Sequence, residues 1–413
     1  MTPSLAAGSG LPAPSVEARA HSAAVAAALV ERIRAAGGWI SFAEYMRFAL
    51  YAPGLGYYSA GAAKFGSDGD FVTAPLISPL FAHACARRIG AWLAASGTSE
   101  ILEFGPGTGR FAADALEVLE DSAAPLHRYR LLEVSADLRE RQQQLLQRDP
   151  ATRRVHVEWL ERLPERFAGF VFANEILDAL PCERFIIHHG EWWRLGVGLD
   201  AADGFEWRIR PADGACADDE AFLAAAASRR ADLAARGREL PDGYCGEWQV
   251  DLDGWLAALG AALGRGGVLL ADYGLPRQQL LHADRLQGSL RCHYRHHAHG
   301  DPFLLPGLCD ITAWVDFSAV AAAAQRAGFA VAGFTTQAAF LLGAGIDAEL
   351  QTAAARLEAE PQRYLELARG AQRLLLPGEM GEAVKFMLLT REPGEWWVAD
   401  EPAFGWRDLR ASL

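Results

Sequence analysis

"ILEFGPGTG", residues 101–109, joins a short apolar run to a loop with three alternating glycines. The mainly apolar residues at positions 101–104 predict a strand, and Gly105, Gly107 and Gly109 follow it directly. Glycines in this position let the backbone turn sharply and approach a ligand where a Cβ atom would clash. The stretch therefore predicts a ligand-binding crevice at the carboxyl end of a buried strand.

Outward from this stretch, apolar runs of strand length alternate with segments of helical spacing. The predicted strands are 129–134, 155–159, 170–173, 267–271 and 385–390, and the predicted helices are 111–119, 136–148 and 252–263. Such alternation implies right-handed crossovers and a parallel sheet with helices on both faces. The predicted fold class is therefore α/β, with a Rossmann-like sheet.

Two cofactor classes use a glycine loop after the first strand. Dinucleotides need Gly-x-Gly-x-x-Gly, in which the third glycine allows close packing of helix on strand. Here position 110 is an arginine, so that glycine is absent. S-adenosylmethionine lies over a loop of the type acidic-x-Gly-x-Gly-x-Gly. The residues that match this second pattern and are predicted to bind S-adenosylmethionine are Glu103, Gly105, Pro106, Gly107, Thr108 and Gly109.

Two further residues are candidates for the same cofactor site. Glu133 ends the next strand, 24 residues beyond Gly109, where a carboxylate can accept hydrogen bonds from both ribose hydroxyls. This acid would suit NAD equally well, so the glycine spacing alone favours the methyl donor. Trp159 closes the third strand, where an aromatic ring could stack on adenine or simply pack in the core.

Polar residues also follow the fourth strand. Asn174, Glu175 and Asp178 crowd a short apolar turn. In an open α/β sheet, ligands bind beyond the carboxyl ends of the strands, so this turn is predicted to line the reaction site. The alternative is that the three residues only cap a helix.

The chain divides by composition into three parts. Residues 1–21, rich in Ala, Ser, Pro and Gly, are predicted to be a disordered leader. Residues 22–98 form a predicted helical and loop region over the site, and residues 99–413 the catalytic domain. Within that domain, about 182–246 interrupts the strand–helix alternation and is predicted to be an α+β insertion.

Composition excludes several partners. A net charge of -13 argues against nucleic acid and anionic membrane surfaces, which need a basic face. No apolar run approaches the roughly 20 residues that span a bilayer. The six scattered cysteines and the absence of a signal-peptide pattern favour a cytoplasmic location. The histidines at positions 293–299 show no recognised metal-ligand spacing, so no metal is predicted.

The chain resembles the MidA-like methyltransferase family over about residues 38–390. The motifs that carry the resemblance are Phe42-Ala43-Glu44-Tyr45-Met46, Gly56-Tyr57-Tyr58, Gly69-Asp70-Phe71-Val72-Thr73-Ala74-Pro75, Ser78-Pro79-Leu80-Phe81, the glycine loop, Ala173-Asn174-Glu175, Asp178-Ala179-Leu180-Pro181, Asp272-Tyr273-Gly274, Asp310-Ile311-Thr312 and Met380-Gly381-Glu382. The resemblance implies a class I methyltransferase sheet of seven strands with added elements. Members include a mitochondrial arginine methyltransferase that assists complex I assembly, which implies a protein substrate here.

Three residues depart from the pattern of that family: Leu76 replaces a glutamate, Cys309 a glutamine and Trp314 a histidine. Leu76 in particular leaves open the alternative that the protein is a scaffold that binds S-adenosylmethionine and assists assembly with little catalysis. A nicotinamide oxidoreductase and a small-molecule methyltransferase are further alternatives. The oligomeric state, with a homodimer as one option, stays open.

For an arginine substrate, carboxylates would have to grip the guanidinium and orient one nitrogen toward the methyl group. The predicted catalytic residues are Glu175 first, then Asp178 and Asp70, with Asn174 orienting substrate or cofactor through its amide.

Overall fold

The computed structural model describes residues 11–59, 73–120, 126–147, 154–392 and 401–413. Its helices, in chain order, are α1 (Val16–Ala35), α2 (Phe42–Tyr51), α3 (Ala74–Ile77), α4 (Pro79–Ser96), α5 (Arg110–Glu120), α6 (Ala136–Leu146), α7 (Ala217–Ala235), α8 (Leu252–Ala262), α9 (Arg277–Leu280), α10 (Phe317–Arg326), α11 (Gln337–Gly343), α12 (Ile346–Arg356), α13 (Pro361–Leu375) and α14 (Pro402–Gly405).

The strands complete the description of the secondary structure. In chain order they are β1 (Trp39–Ile40), β2 (Glu100–Phe104), β3 (Arg128–Leu132), β4 (His156–Leu160), β5 (Phe167–Asn174), β6 (Cys182–His188), β7 (Glu191–Leu199), β8 (Phe205–Arg210), β9 (Cys245–Gln249), β10 (Leu263–Leu275), β11 (Arg291–Tyr294), β12 (His297–His299), β13 (Asp310–Thr312), β14 (Val315–Asp316), β15 (Ala330–Thr336) and β16 (Val384–Arg391).

The chain forms two compact units. The antiparallel unit consists of the described residues of Met1–Phe71 with Asp178–Asp251 and Arg277–Trp314. The parallel unit consists of the described residues of Val72–Leu177, Leu252–Pro276 and Val315–Leu413. This partition differs from the division by composition, because α3 and α4 belong to the parallel unit and β1 shares a sheet with β7 of the predicted insertion.

The parallel unit contains the predicted Rossmann-like sheet. Its strand order is β15-β16-β10-β5-β2-β3-β4, with β14 beside β10. The neighbours from β10 to β4 pair in parallel, whereas β16 runs antiparallel to both β10 and β15. The predicted α/β class is confirmed, as are the predicted strands and helices, with ends that shift by a few residues.

Helix α4 illustrates how the sequence sets the limits of an element in the parallel unit. Ser78 accepts a hydrogen bond from the Leu80 amide, Pro79 occupies the first helical position, and Gly97 ends the helix at φ 65°. The buried face of α4 includes Phe81, whose ring lies 6.4 Å from that of Phe172 on β5. The core of this unit therefore lies between the helices and the sheet that carries the glycine loop.

The antiparallel unit contains the sheet β1-β7-β6-β9, with β8 beside β7, and the smaller sheet β12-β11-β13. Its first helix corrects the predicted leader. Helix α1 begins at Val16, so residues 16–21 are helical, because Ser15 caps the Ala18 amide and Ala18 and Ser22 are buried. In the part of the chain that the structure describes, no helix is both long and apolar enough to cross a membrane.

Candidate functional site

Register places the carboxyl ends of four parallel strands side by side. Phe104, the last residue of β2, pairs with Leu132 of β3 on one side and with Ala173 of β5 on the other. Leu132 in turn pairs with Leu160, the last residue of β4. The residues that follow these strand ends therefore share one edge of the sheet, which is where open α/β sheets bind ligands.

The glycine loop occupies the centre of this edge. Gly105, Gly107 and Gly109 have φ values of 55°, 54° and 81°, in the left-handed region that favours glycine. A Cβ atom at Gly105 would lie 2.5 Å from Ile176 Cδ1, and one at Gly109 would lie 3.1 Å from Gln142 Cγ. A Cβ atom at Gly107 would meet no atom within 4 Å. The first and third glycines thus pack against protein, and the second faces open space.

The other loop residues differ in exposure. Pro106 is buried and its carbonyl accepts a hydrogen bond from the Gly109 amide at 2.8 Å, whereas Thr108 is exposed. Glu103 is 3% exposed, and the Tyr129 hydroxyl donates to its Oε2 at 2.6 Å. Burial raises the pKa of Glu103 to about 8. The direct role predicted for Glu103 in binding the cofactor stays a prediction, since its carboxyl is bonded within the protein.

Glu133 follows β3 beside the glycine loop. The Ser135 amide donates to its Oε1 at 2.8 Å, and the Gln142 amide donates to its Oε2 at 3.1 Å. Burial raises the pKa of Glu133, while these two hydrogen bonds act in the opposite direction. The carboxylate is thereby held at a fixed place on the sheet edge, which suits recognition of a pair of hydroxyls.

Gln142 is a site residue that sequence reasoning missed. Its side chain is fully buried and also donates to the Gly107 carbonyl at 2.7 Å, while its Oε1 accepts from Trp159 Nε1 at 2.9 Å. The sequence signal that could have identified Gln142 is its position four residues after Leu138 and four before Leu146, on the inward face of α6. Trp159 is half-buried and packs against the core, so its proposed stacking on adenine stays a prediction.

Asn174 and Glu175 lie at the end of β5. Asn174 Nδ2 donates to Glu175 Oε1 at 3.1 Å, and the Glu175 amide donates to the Ala271 carbonyl at 2.9 Å. Glu175 has a φ of 53°, a conformation that is rare for a residue with a side chain. Non-glycine residues held in this region cluster at functional sites, because the fold must offset their strain.

Asp272 fixes the turn that follows Glu175. It is 1% exposed, and its carboxylate accepts hydrogen bonds from the Leu177 amide at 2.7 Å and the Tyr273 amide at 2.8 Å. The turn after β5 is thereby tied to the end of β10. The family motif at this position pointed to Asp272, but only the structure assigns it this contact.

The other two predicted catalytic residues are Asp178 and Asp70. Asp178 begins a stretch of the antiparallel unit, where it is 6% exposed and its carbonyl accepts from the Ala313 amide at 3.0 Å. Asp70 lies outside the described residues. Among the described residues there is no group of three or more metal-ligating side chains.

The sheet edge fits an adenosyl ligand that lacks a pyrophosphate. Gly107 offers bare backbone to open space, and the neighbouring Glu133 offers a buried carboxylate. Arg110 begins α5 where a dinucleotide fold would place its third glycine, and it pairs with Asp114 at 2.7 Å. Fold and site together define a nucleoside-binding α/β enzyme of the methyltransferase kind.

Comparisons with known proteins give the same class. A family profile of S-adenosyl-L-methionine-dependent methyltransferases matches residues 80–335. Protein arginine methyltransferase NDUFAF7, mitochondrial, of Mus musculus is 31% identical over 397 residues, which cover 87% of this chain and 83% of that protein. The Homo sapiens protein of the same name is 28% identical, with coverage of 87% and 82%.

Solved structures agree over nearly the whole chain. A Burkholderia thailandensis protein whose crystal structure holds S-adenosyl-homocysteine is 41% identical, with a TM-score of 0.86 and coverage of 98% of this chain and 100% of that one. A native crystal structure from the same organism is 40% identical, with a TM-score of 0.84 and the same coverage.

The chain belongs to this family of S-adenosylmethionine-dependent methyltransferases. It is an enzyme that uses S-adenosylmethionine as its cofactor, and the resemblance to MidA-like proteins is confirmed. The oxidoreductase alternative is thereby set aside.

Proposed function

We propose that the enzyme methylates arginine side chains of a partner protein. The support is the activity for which the mouse and human relatives are named, together with a carboxylate, Glu175, held in a strained conformation at the sheet edge. By the resemblance, the substrate is a subunit of respiratory complex I or a similar protein. The position of Glu175 is the observation that carries the proposal.

The cofactor would be held by residues of the parallel unit. Glu133 would accept hydrogen bonds from the ribose hydroxyls. The ligand would also lie against the open backbone at Gly107, where the side chain of any other residue would displace it. Bound S-adenosylmethionine supplies a methyl group on a positively charged sulfur. Ser135 and Gln142 keep Glu133 in place by donating to its two oxygens.

Glu175 would act on the substrate. A guanidinium stays protonated because its pKa exceeds about 12, so it is a poor nucleophile until its charge is localised. A carboxylate that grips two of its N–H groups localises that charge on one side and orients the third nitrogen. Asn174, which donates to Glu175 Oε1, fixes the direction of that carboxylate.

The test of the substrate class is transfer of a labelled methyl group in an extract of the source cells. The labelled protein band, analysed by mass spectrometry, should carry methyl groups on arginine nitrogens. Label on another residue type would overturn the arginine proposal, and label only in the small-molecule fraction would favour the small-molecule alternative. Binding of S-adenosylmethionine without any labelled product would favour the assembly scaffold with little catalysis.

The role of Glu175 is tested by Glu175→Gln. Because glutamine cannot balance the charge of a guanidinium, turnover should fall by about a hundredfold or more, as when one pre-oriented polar group is removed from an active site. Affinity for S-adenosyl-homocysteine should not change, since Glu133 and the loop remain. The matched control is Glu358→Gln, at an exposed position of the same unit. Full turnover by Glu175→Gln would remove Glu175 from catalysis.

A cytoplasmic location is part of the proposal. None of the six cysteines, all within the described residues, forms a disulfide, and five of them are buried, as expected for a protein in a reducing compartment. Fractionation of the source cells would test it. The oligomeric state stays open, and light scattering on the purified protein would decide whether it is a homodimer.

A further inference from the structure

We infer that Gln142 is a positioning residue for the cofactor, setting the relative places of the glycine loop, the ribose-binding carboxylate and Trp159 through one amide group. The inference rests on the proposed seat of S-adenosylmethionine at Gly107 and Glu133. It concerns a residue on α6 that acts through the three residues to which it is hydrogen-bonded.

The amide of Gln142 reaches three separate elements. Its nitrogen lies 2.7 Å from the carbonyl oxygen of Gly107 in the glycine loop and 3.1 Å from Oε2 of Glu133 at the end of β3. Its oxygen lies 2.9 Å from Nε1 of Trp159 on β4. Both N–H groups and the oxygen of the amide are thereby hydrogen-bonded. One side chain therefore links the glycine loop, the residue that follows β3 and strand β4.

Chemistry dictates the orientation of this amide. A carbonyl and an ionised carboxylate only accept, and an indole N–H only donates. Turning the amide over would place the Gln142 oxygen against two acceptors and its nitrogen against a donor. Only one orientation of the amide satisfies all three contacts, and a side chain that replaces glutamine must supply two donors and one acceptor to keep them all.

The stem of Gln142 also forms a wall of the loop. A Cβ atom at Gly109 would approach its Cγ and Cβ atoms to 3.1 and 3.4 Å. The side chain is completely buried. The loop conformation that leaves Gly107 facing open space thus depends on α6 as well as on the glycines.

Charged groups near Glu133 determine how a new charge at position 142 would act. Arg139 lowers the pKa of Glu133, and its guanidinium donates to the Glu133 carbonyl at 3.0 Å. The charge of Glu133 raises the pKa of Glu103. A second carboxylate at position 142 would face Glu133 directly, and two close carboxylates cannot both ionise without mutual repulsion.

The test measures the dissociation constant of S-adenosyl-homocysteine by calorimetry from pH 6 to pH 9 for the parent protein, Gln142→Glu, Gln142→Met and the control Gln144→Glu, at an exposed position on the same helix. At low pH the protonated carboxyl that Gln142→Glu introduces can donate to one acceptor and accept from Trp159, so this variant should bind nearly as well as the parent. As the pH rises, the introduced carboxyl ionises beside Glu133, and the affinity of this variant should fall by about tenfold or more. The control should follow the parent.

Gln142→Met, which makes none of the three hydrogen bonds, should bind about tenfold or more weakly at every pH. The inference is overturned if Gln142→Met binds like the parent, or if the loss in Gln142→Glu is the same at low and high pH, which would indicate a packing role alone. Circular dichroism checks that each variant is folded. If Gln142→Glu does not fold, the result for Gln142→Met alone decides whether the inference holds. Gly107→Val distinguishes a failure of this inference from a failure of the proposed cofactor site. If Gly107→Val binds S-adenosyl-homocysteine like the parent, the proposed cofactor site itself is wrong.

Discussion

At the scale of single residues, Glu103 combines burial with a titratable group. Its pKa of about 8 in the folded protein lies above the ordinary value of 4.5, because burial disfavours the charged form. Between these two pH values the folded protein holds a proton that the unfolded chain releases. The contribution of Glu103 to the free energy of unfolding should therefore be greatest below pH 4.5 and fall as the pH rises from about 4.5 to 8.

Glu103→Gln should flatten this part of the stability profile. Glutamine keeps an acceptor for the Tyr129 hydroxyl and cannot ionise, so the variant avoids a penalty of up to about 5 kcal/mol at high pH. Urea unfolding of both proteins between pH 5 and pH 9 checks the prediction. Parallel profiles for variant and parent would mean that Glu103 ionises with an ordinary pKa.

Gly107→Val should remove cofactor binding and leave the fold intact. Valine must adopt a φ near 54° and project its side chain into the open space that we assign to the ligand. The conformational strain alone should cost about 1–3 kcal/mol of stability. Calorimetric titration with S-adenosyl-homocysteine is the measurement.

Gly97→Val is the matched control for this strain. Gly97 has a φ of 65° and equally open surroundings, but it ends α4 before the amino end of β2. Both variants should lose similar stability, and Gly97→Val should bind the ligand like the parent. Unchanged binding by Gly107→Val would place the cofactor elsewhere.

At the scale of elements, the site depends on how the ends of neighbouring strands are tied together. Strands β2, β3, β4 and β5 end in register, and side chains then join their loops. Gln142 joins the loops after β2 and β3 to β4, and Asp272 joins the turn after β5 to β10. Both ties are buried amide or carboxylate groups whose polar partners would be costly to leave unpaired.

Asp272→Asn tests the second tie. Asparagine has one acceptor oxygen, so the Leu177 or the Tyr273 amide loses its partner, at a cost of about 1–3 kcal/mol of stability. Because the turn that carries Glu175 loosens, turnover should fall while affinity for S-adenosyl-homocysteine changes little. Asp253→Asn, an exposed partner of Arg326, is the control. Equal turnover in Asp272→Asn and the parent would contradict this role.

At the scale of the whole molecule, the chain passes between its two units several times. It leaves the parallel unit after Leu177, beyond β5, and again after Pro276, beyond β10. Both exits follow carboxyl ends of strands of the central sheet. The parallel unit is therefore assembled from stretches that are far apart in sequence, and the turn that carries Glu175 meets its partner Asp272 only when two of these stretches have come together.

Ligand binding should consequently stabilise the folded protein. A ligand that binds only the folded state adds about 2.7 kcal/mol at a concentration of one hundred times its dissociation constant. S-adenosyl-homocysteine should raise the melting temperature, and NAD at the same concentration should not, since the third glycine of a dinucleotide loop is replaced by Arg110. Thermal unfolding with each ligand is the measurement. A comparable rise with NAD would show that the loop does not discriminate between them.

The sequence alone determined the fold class and the alternation of strands and helices in the central sheet, and it predicted the place of the cofactor loop. These features depend on local pattern: apolar runs of strand length, the spacing of Gly105, Gly107 and Gly109, and acids at strand ends. The tertiary structure alone decided which of several similar side chains meet. Gln142 is one of three consecutive glutamines, and only the packing of α6 makes it the buried one. Likewise, the left-handed backbone of Glu175 and the hydrogen bond from Leu177, in the same turn, to Asp272 depend on register across strands that lie about a hundred residues apart in sequence, which no local pattern records.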